Sequence, residues 1–213
     1  MQNHHKRKVS SLKTMGVVLA GGLSSRMLED KSQLIWQGSS LLDHSGKLLL
    51  AAGCAEVVIS NNSDPRYIAD RFPDSGPLAG IDACLAYILN GTSEYEAMLI
   101  MPVDMPLMEL ELLRNLIHQA ELGKAELSNS GNGKAVFYNA GRFPLILPVN
   151  DDLSKLLSSS LEQGHNGVRS GLSIRKLLAN LDCQILDIDK DHQSAFYNCN
   201  TPEEWQNIQN SNL

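Results

Sequence analysis

Apolar and polar positions follow two rhythms along this chain. Met15-Gly16-Val17-Val18-Leu19-Ala20 is a short unbroken apolar run, β-branched in its middle and halted at Gly21-Gly22, which predicts a buried strand running into a turn. After Ser39 and Ser40, good N-cap residues, Leu41, Leu42, Leu48, Leu49 and Ala52 recur at helical spacing until Gly53 ends the run. Val57-Val58-Ile59 predicts a second buried strand, and Asn61-Asn62-Ser63-Asp64-Pro65 a turn. A short piece to Asp70 leads to Gly76-Pro77 and a helix over Leu78 to Leu89. A third strand, Ala97 to Met101, stops at Pro102, and Leu110, Leu113, Leu116, Ile117 and Ala120 mark another helix.

Strands alternating with helices in this way are βαβ units, so residues 15 to about 122 predict a doubly wound, parallel half. Beyond it, Lys134 to Tyr138 and Pro144 to Val149 read as strands. Two helices follow, one on Leu153, Leu156, Leu157 and Leu161, the other on Ile174, Leu177, Leu178 and Leu181. Gln184 to Ile188 and Phe196 to Cys199 read as late strands, and Pro202 opens a last helix. In such a sheet the ligand crevice lies outside the carboxyl ends of the strands. That singles out three loops: Gly21 to Lys31, Ser60 to Asn62, and Pro102 to Met105.

Composition changes the picture in two respects. The 213 residues are 43% hydrophobic and 20% charged, an ordinary globular balance, and no apolar run is long enough for a spanning helix. Met1 to Thr14 holds four of the 18 basic residues, none of the 24 acidic ones and no apolar h-region, so it predicts a flexible basic tail and no secretory signal. The body from Met15 then carries 14 basic against 24 acidic residues, a net of −10 that argues against nucleic acid or a membrane surface as partner. Cys54, Cys84, Cys183 and Cys199 form no C-x-x-C pair and lie in or beside apolar stretches, which fits reduced thiols in a cytoplasmic protein.

The first loop, Leu19 to Lys31, offers two glycines for close backbone approach and two cations, Arg26 and Lys31, for phosphate oxygens. It is neither a Walker A loop nor a G-x-G-x-x-G turn. It reads as a triphosphate cradle, and also as a tight turn with a solvated basic flank. Asp104 ends the third strand and so projects into the same crevice, where a hard carboxylate suits Mg²⁺. It reads too as a carboxylate bonding a local turn before Pro106. His44, His118, His165 and His192 have no metal-site spacing, and Arg169 and Arg175 fit a solvated loop as well as an anion contact.

The run Leu19-Ala20-Gly21-Gly22 through Arg26-Met27 to Asp30-Lys31 resembles the L-A-G-G-x-S-x-R-M-G-x-D-K signature of nucleotidyltransferases related to molybdenum cofactor guanylyltransferase. Gly38 to His44 is similar to that family's G-K-P-L-L-D-H, Gly76 to Ile81 to its G-P-L-A-G-I, Val103 to Pro106 to its D-x-P loop, and Ala195 to Glu204 to its A-F-x-N-x-N-T-P-E-D. Leu28 stands where the pattern has glycine, and Ser63 where relatives carry arginine.

The resemblance implies one α/β domain over residues 15–213, a Rossmann-like doubly wound, mostly parallel sheet with helices on both faces. It implies transfer of GMP from GTP to molybdopterin with Mg²⁺ and release of pyrophosphate, and molybdoenzymes or other cofactor-biosynthesis proteins as further partners. Arg26, Lys31 and Asp104 are then catalytic, with Asp104 the metal ligand. Leu19, Ala20, Gly21, Gly22, Lys31, Asn62, Asp70, Gly76 and Asp104 line the nucleotide, and Asn198 and Asn200 lie near the pterin. A cytidylyltransferase, a sugar-phosphate nucleotidyltransferase or a non-catalytic nucleotide-binding relative are the alternatives. Every version requires Lys31 and Asp104 to converge.

Overall fold

The computed structural model describes residues 12–21, 30–92, 94–126, 133–165 and 173–211. In chain order the elements are β1 (Thr14–Leu19), β2 (Ile35–Trp36), β3 (Ser39–Ser40), α1 (Leu41–Ala52), β4 (Glu56–Ser60), α2 (Pro77–Leu89), β5 (Ala97–Pro102), α3 (Leu110–Glu126), β6 (Ala135–Tyr138), β7 (Leu145–Pro148), α4 (Asp151–His165), α5 (Ile174–Ala179), β8 (Cys183–Leu186) and α6 (Pro202–Ser211). Ser40 caps α1 by accepting from the Asp43 N–H, and Gly53 closes it in the left-handed conformation.

Six strands form one sheet in the order β4-β1-β5-β7-β6-β8, with β2 and β3 making a separate small hairpin. Among the six, β7 alone runs antiparallel, so the sheet is mostly parallel and the carboxyl ends of β1, β4, β5, β6 and β8 share one edge. Successive residues of β5 serve opposite faces: Ala97, Leu99 and Met101 enter one core, Met98 and Ile100 the other. The first core is completed by α1, α3 and α6, the second by α2, α4 and α5. Helices therefore cover both faces, as expected of a doubly wound sheet.

Adjacent strands β1 and β4 hand the chain to helices on opposite faces, α1 and α2 respectively. A change of face between adjacent parallel strands marks the switch point, at whose carboxyl ends open α/β sheets bind ligands.

Two expectations need correction. Phe196 to Cys199 is not a strand: Lys190–Phe196 forms a 3-10 helix, and the following residues cross the sheet's carboxyl edge, where the Cys199 N–H donates to the Asp104 carbonyl at 2.8 Å. That bond ties the segment across the strand ends, outside the ladder. The tail predicted over 1–14 is shorter at its inner end, because Thr14 starts β1 and Leu12 is buried with its N–H donating to Glu121 at 3.0 Å. Residues 1–11 lie outside the described residues.

Candidate active site

The end of β1 is stitched to both neighbours. The Ala20 N–H donates to the Ser60 carbonyl at 2.9 Å, and the Val103 N–H donates to the Leu19 carbonyl at 3.0 Å. Leu19 and Ala20, which lead into Gly21, are thereby held between the β4 and β5 ends. Leu19 is buried, and a Cβ on Gly21 would meet the Ser60 carbonyl oxygen at 3.8 Å and Asn62 Nδ2 at 4.0 Å. Gly22 and Arg26, like Leu28 and Arg169, lie outside the described residues.

On the β5 side, Lys31 Nζ sits 3.0 Å from Asp104 Oδ2 and donates to Asn200 Oδ1 at 2.9 Å. The convergence that the sequence reading required is present. Local packing explains it. Asp30 accepts from the Ser32 N–H to start a 3-10 turn, Lys31–Gln33, and the hairpin that follows plants Trp36 against Trp205 of α6 at 5.8 Å between ring centres. Lys31 is thus carried next to the start of α6. There Thr201 accepts from the Glu204 N–H, and Glu204 reaches back to the N–H groups of Asn200 and Thr201, a capping box that fixes Asn200. Those bonds hold the Glu204 carboxyl below its ordinary range.

Lys31 and Asp104 are both mostly buried, with 15% and 17% of their side chains exposed. Asp104 Oδ1 is buried and has no hydrogen-bond partner among the described residues. A buried carboxylate oxygen in that state is costly unless something completes it, and a hard cation is the fitting completion. Beside it, burial pushes the Cys199 thiol up to about 11, against the pull of Lys31, so it stays protonated near neutral pH. His44 on α1 faces the Pro106 backbone, and burial lowers its pKa. The ring is neutral at pH 7, a packing element under the Asp104 loop.

On the β4 side, Asn62 Oδ1 accepts the Asp70 N–H at 2.7 Å and Asn62 Nδ2 donates to Asp70 Oδ2 at 2.8 Å, while Ser60 Oγ donates to Asp70 Oδ1 at 3.3 Å. The short connection between Asn62 and Asp70 closes on itself, and Asn62 holds the aspartate. Gly76 caps α2 with φ +67° and ψ −157°, a backbone state that favours glycine. It stands at the far end of the same loop. Asn198 is exposed on the 197–200 segment, and Arg175 is exposed on α5. Sequence reasoning missed Glu204, although Thr201-x-x-Glu204 is a legible capping-box spacing. Ser60 was singled out only as the start of a candidate loop, and its bond to Asp70 was not foreseen.

Among the described residues no group of three or more His, Cys, Asp or Glu side chains is placed to hold a metal, and no helix is long and apolar enough to cross a membrane. Among the described residues the crevice has the Lys31–Asp104 pair with Asn200 on its β5 side and Asp70 with Asn62 on its β4 side. It suits a metal-bound anionic ligand that itself brings further oxygens.

Comparison with known proteins agrees with this geometry. Residues 16–182 match the model of the MobA-like NTP transferase domain. A molybdenum cofactor guanylyltransferase of Xanthomonas euvesicatoria is 34% identical over 199 residues, covering 92% of this chain and 95% of its own. Among solved structures, molybdopterin-guanine dinucleotide biosynthesis protein A from Archaeoglobus fulgidus superposes with a TM-score of 0.65 at 18% identity, covering 93% of this chain and all of that one. A Mycobacterium tuberculosis protein solved in complex with manganese gives 0.56 at 15% identity, covering 93% and 99%. With a family model spanning most of its length and these residues in place, the chain belongs to the MobA-like NTP transferases and is a nucleotidyltransferase.

Proposed function

We propose that this enzyme transfers GMP from GTP to the terminal phosphate of molybdopterin, releasing pyrophosphate. An acceptor phosphate oxygen attacks the α-phosphorus in line; the new O–P bond forms as the bond to the β-phosphate breaks, and pyrophosphate leaves. Both reactants are anionic, so the protein supplies positioning and charge neutralisation, and no protein nucleophile takes part. The observation that carries the reading is the Lys31–Asp104 pair at 3.0 Å with Asp104 Oδ1 left without a partner at the carboxyl edge.

Lys31 has three N–H donors and gives two to Asp104 and Asn200, so one is left for a phosphate oxygen. Arg26, by its place in the motif, joins it on the departing pyrophosphate. Asp104 Oδ1 is the atom suited to hold a divalent cation, which we assign as Mg²⁺; when bound it would neutralise charge on the nucleotide phosphates. Ala20, Gly21, Asn62, Asp70 and Gly76 line the nucleoside side, at the β1/β4 switch point. Asn198 and Asn200 face the acceptor. An open groove of about 550 Å³ lined by Asn139, Gln193, Ser194, Phe196 and Tyr197 continues along the same edge and offers aromatic and amide groups to a flat heterocycle. A cytoplasmic location fits substrates made and used inside the cell.

Nucleotide choice tests the reading. With Mg²⁺ present, GTP should raise the melting temperature by mass action while CTP, ATP and UTP leave it unchanged. Protection by CTP alone would overturn the guanylyl assignment.

A further inference from the structure

Asp82 is 1% exposed in the middle of α2, the one charged residue in the buried set among the described residues. Two N–H groups of Arg71 meet it in a fork, Nε to Oδ2 at 2.9 Å and Nη2 to Oδ1 at 2.7 Å, and Ser158 Oγ of α4 lies 3.4 Å from Oδ1. Arg71 itself is 47% exposed. A solvent-facing loop cation thus reaches inward to a carboxylate lodged between two helices.

Arg71 directly follows Asp70, the residue held by Ser60 and Asn62 at the crevice. Consecutive Cα atoms are about 3.8 Å apart, so a residue fixed at 71 leaves its predecessor little freedom. Upstream, the loop is tied by the Asn61 N–H to the Ile68 carbonyl and the Ile68 N–H to the Ile59 carbonyl. Past Asp70 the fork to Asp82 is the charged anchor, and Phe72 packs beside it on the α2 face. An ion pair at such a site adds little stability over apolar side chains of similar size. What it adds is direction, since a bidentate guanidinium has one geometry.

We propose that Asp82 is a positioning residue for the nucleotide, acting through Arg71 to set the backbone at Asp70 and so the β4 wall of the nucleoside site. This rests on the assignment of Asp70 to that site. Loss of the fork lets the Asp70 loop drift, which weakens GTP in the ground state and transition state alike. GTP KM rises while kcat holds.

Pyrophosphate release with GTP, Mg²⁺ and molybdopterin, together with melting curves, tests this in three variants of the full chain. In the double variant Arg71→Met with Asp82→Leu, an apolar pair replaces the fork and keeps the melting temperature near the parent. GTP KM should nonetheless rise roughly tenfold, within the range reported for remote coupling residues, with kcat and the acceptor KM within about twofold. Arg71→Lys, on a half-exposed side chain that folding tolerates, keeps the charge and one contact and should give an intermediate GTP KM. Asp70→Asn should raise GTP KM on its own. A parental GTP KM in both fork variants, with Asp70→Asn still impaired, overturns the positioning role alone; no effect of Asp70→Asn overturns the assignment of Asp70 and the proposal with it.

Discussion

At the scale of single residues, Asp104 and Lys31 divide the work. Lys31 takes one oxygen of the carboxylate and fixes its direction, and the other oxygen is the one we propose for the cation. Asp104→Ala removes the proposed cation ligand and leaves Lys31 its bond to Asn200. Turnover should fall at least about a hundredfold, the usual cost of losing one electrostatic stabiliser at a reacting centre. The melting temperature should stay within about 2–4 °C of the parent, since the loop is held by backbone bonds. Near-parental activity in this variant would refute the metal assignment. The sequence pointed to both residues, through the motif, but not to Glu204, whose grip on the Asn200 N–H places the third member of the cluster. The capping box itself is a local pattern, but the meeting of Asn200 with Lys31 depends on where α6 lies relative to the 3-10 turn, and no local pattern encodes that.

At the scale of elements, α2 lies close against β1 and β4. A Cβ on Gly80 would come 2.5 Å from Ser60 Oγ and 3.1 Å from Leu19 Cδ2. Ser60 is buried and donates to Asp70, so crowding at Gly80 passes to the proposed nucleotide wall. Gly80→Ala should lower stability by about 1–3 kcal/mol through overpacking, and should weaken protection by GTP as well. Thermal melts with and without GTP check both effects; an unchanged melting temperature would mean that Ser60 yields freely. Helix and strand identities were readable from apolar spacing, including the caps Ser40, Gly53 and Pro202. Phe196 to Cys199 was not, because its apolar residues serve the core from outside the sheet: Cys199 is buried and Phe196 packs at 5.5 Å from Tyr138. The antiparallel course of β7 was equally invisible, since a run buried on both faces carries no direction.

At the scale of the whole molecule, two histidines pull stability in opposite directions with pH. Burial lowers the pKa of His44, so the unfolded chain takes up that proton more readily; stability is intact above about pH 6.5 and declines as pH falls toward the folded value. His192 gains a bond to Glu109 at 2.7 Å, which raises its pKa; its contribution is full below about pH 6.5 and is lost as pH rises through the folded value. The second group is well exposed and salt-screened, so the first should dominate. Melting temperature measured from about pH 5.5 to 8 should drop on the acid side, and the drop should shrink in His44→Gln. Parallel curves for the two proteins would show that His44 does not carry it.

The amino-acid sequence by itself determined the layered α/β class, most elements, and the loops in which chemistry would reside, because periodicity and turn residues are local properties that survive without a neighbour. It also set the expectation that an anionic ligand would be met by local cations within an acidic body. Only the tertiary structure decided that Asn62 holds Asp70, that Asn200 joins Lys31 and Asp104, and that Arg71 reaches inward to Asp82. Each of these contacts joins residues through the packing of separate elements or the closing of a loop, and such meetings are set by the shape of the filled core, which no stretch of chain specifies alone.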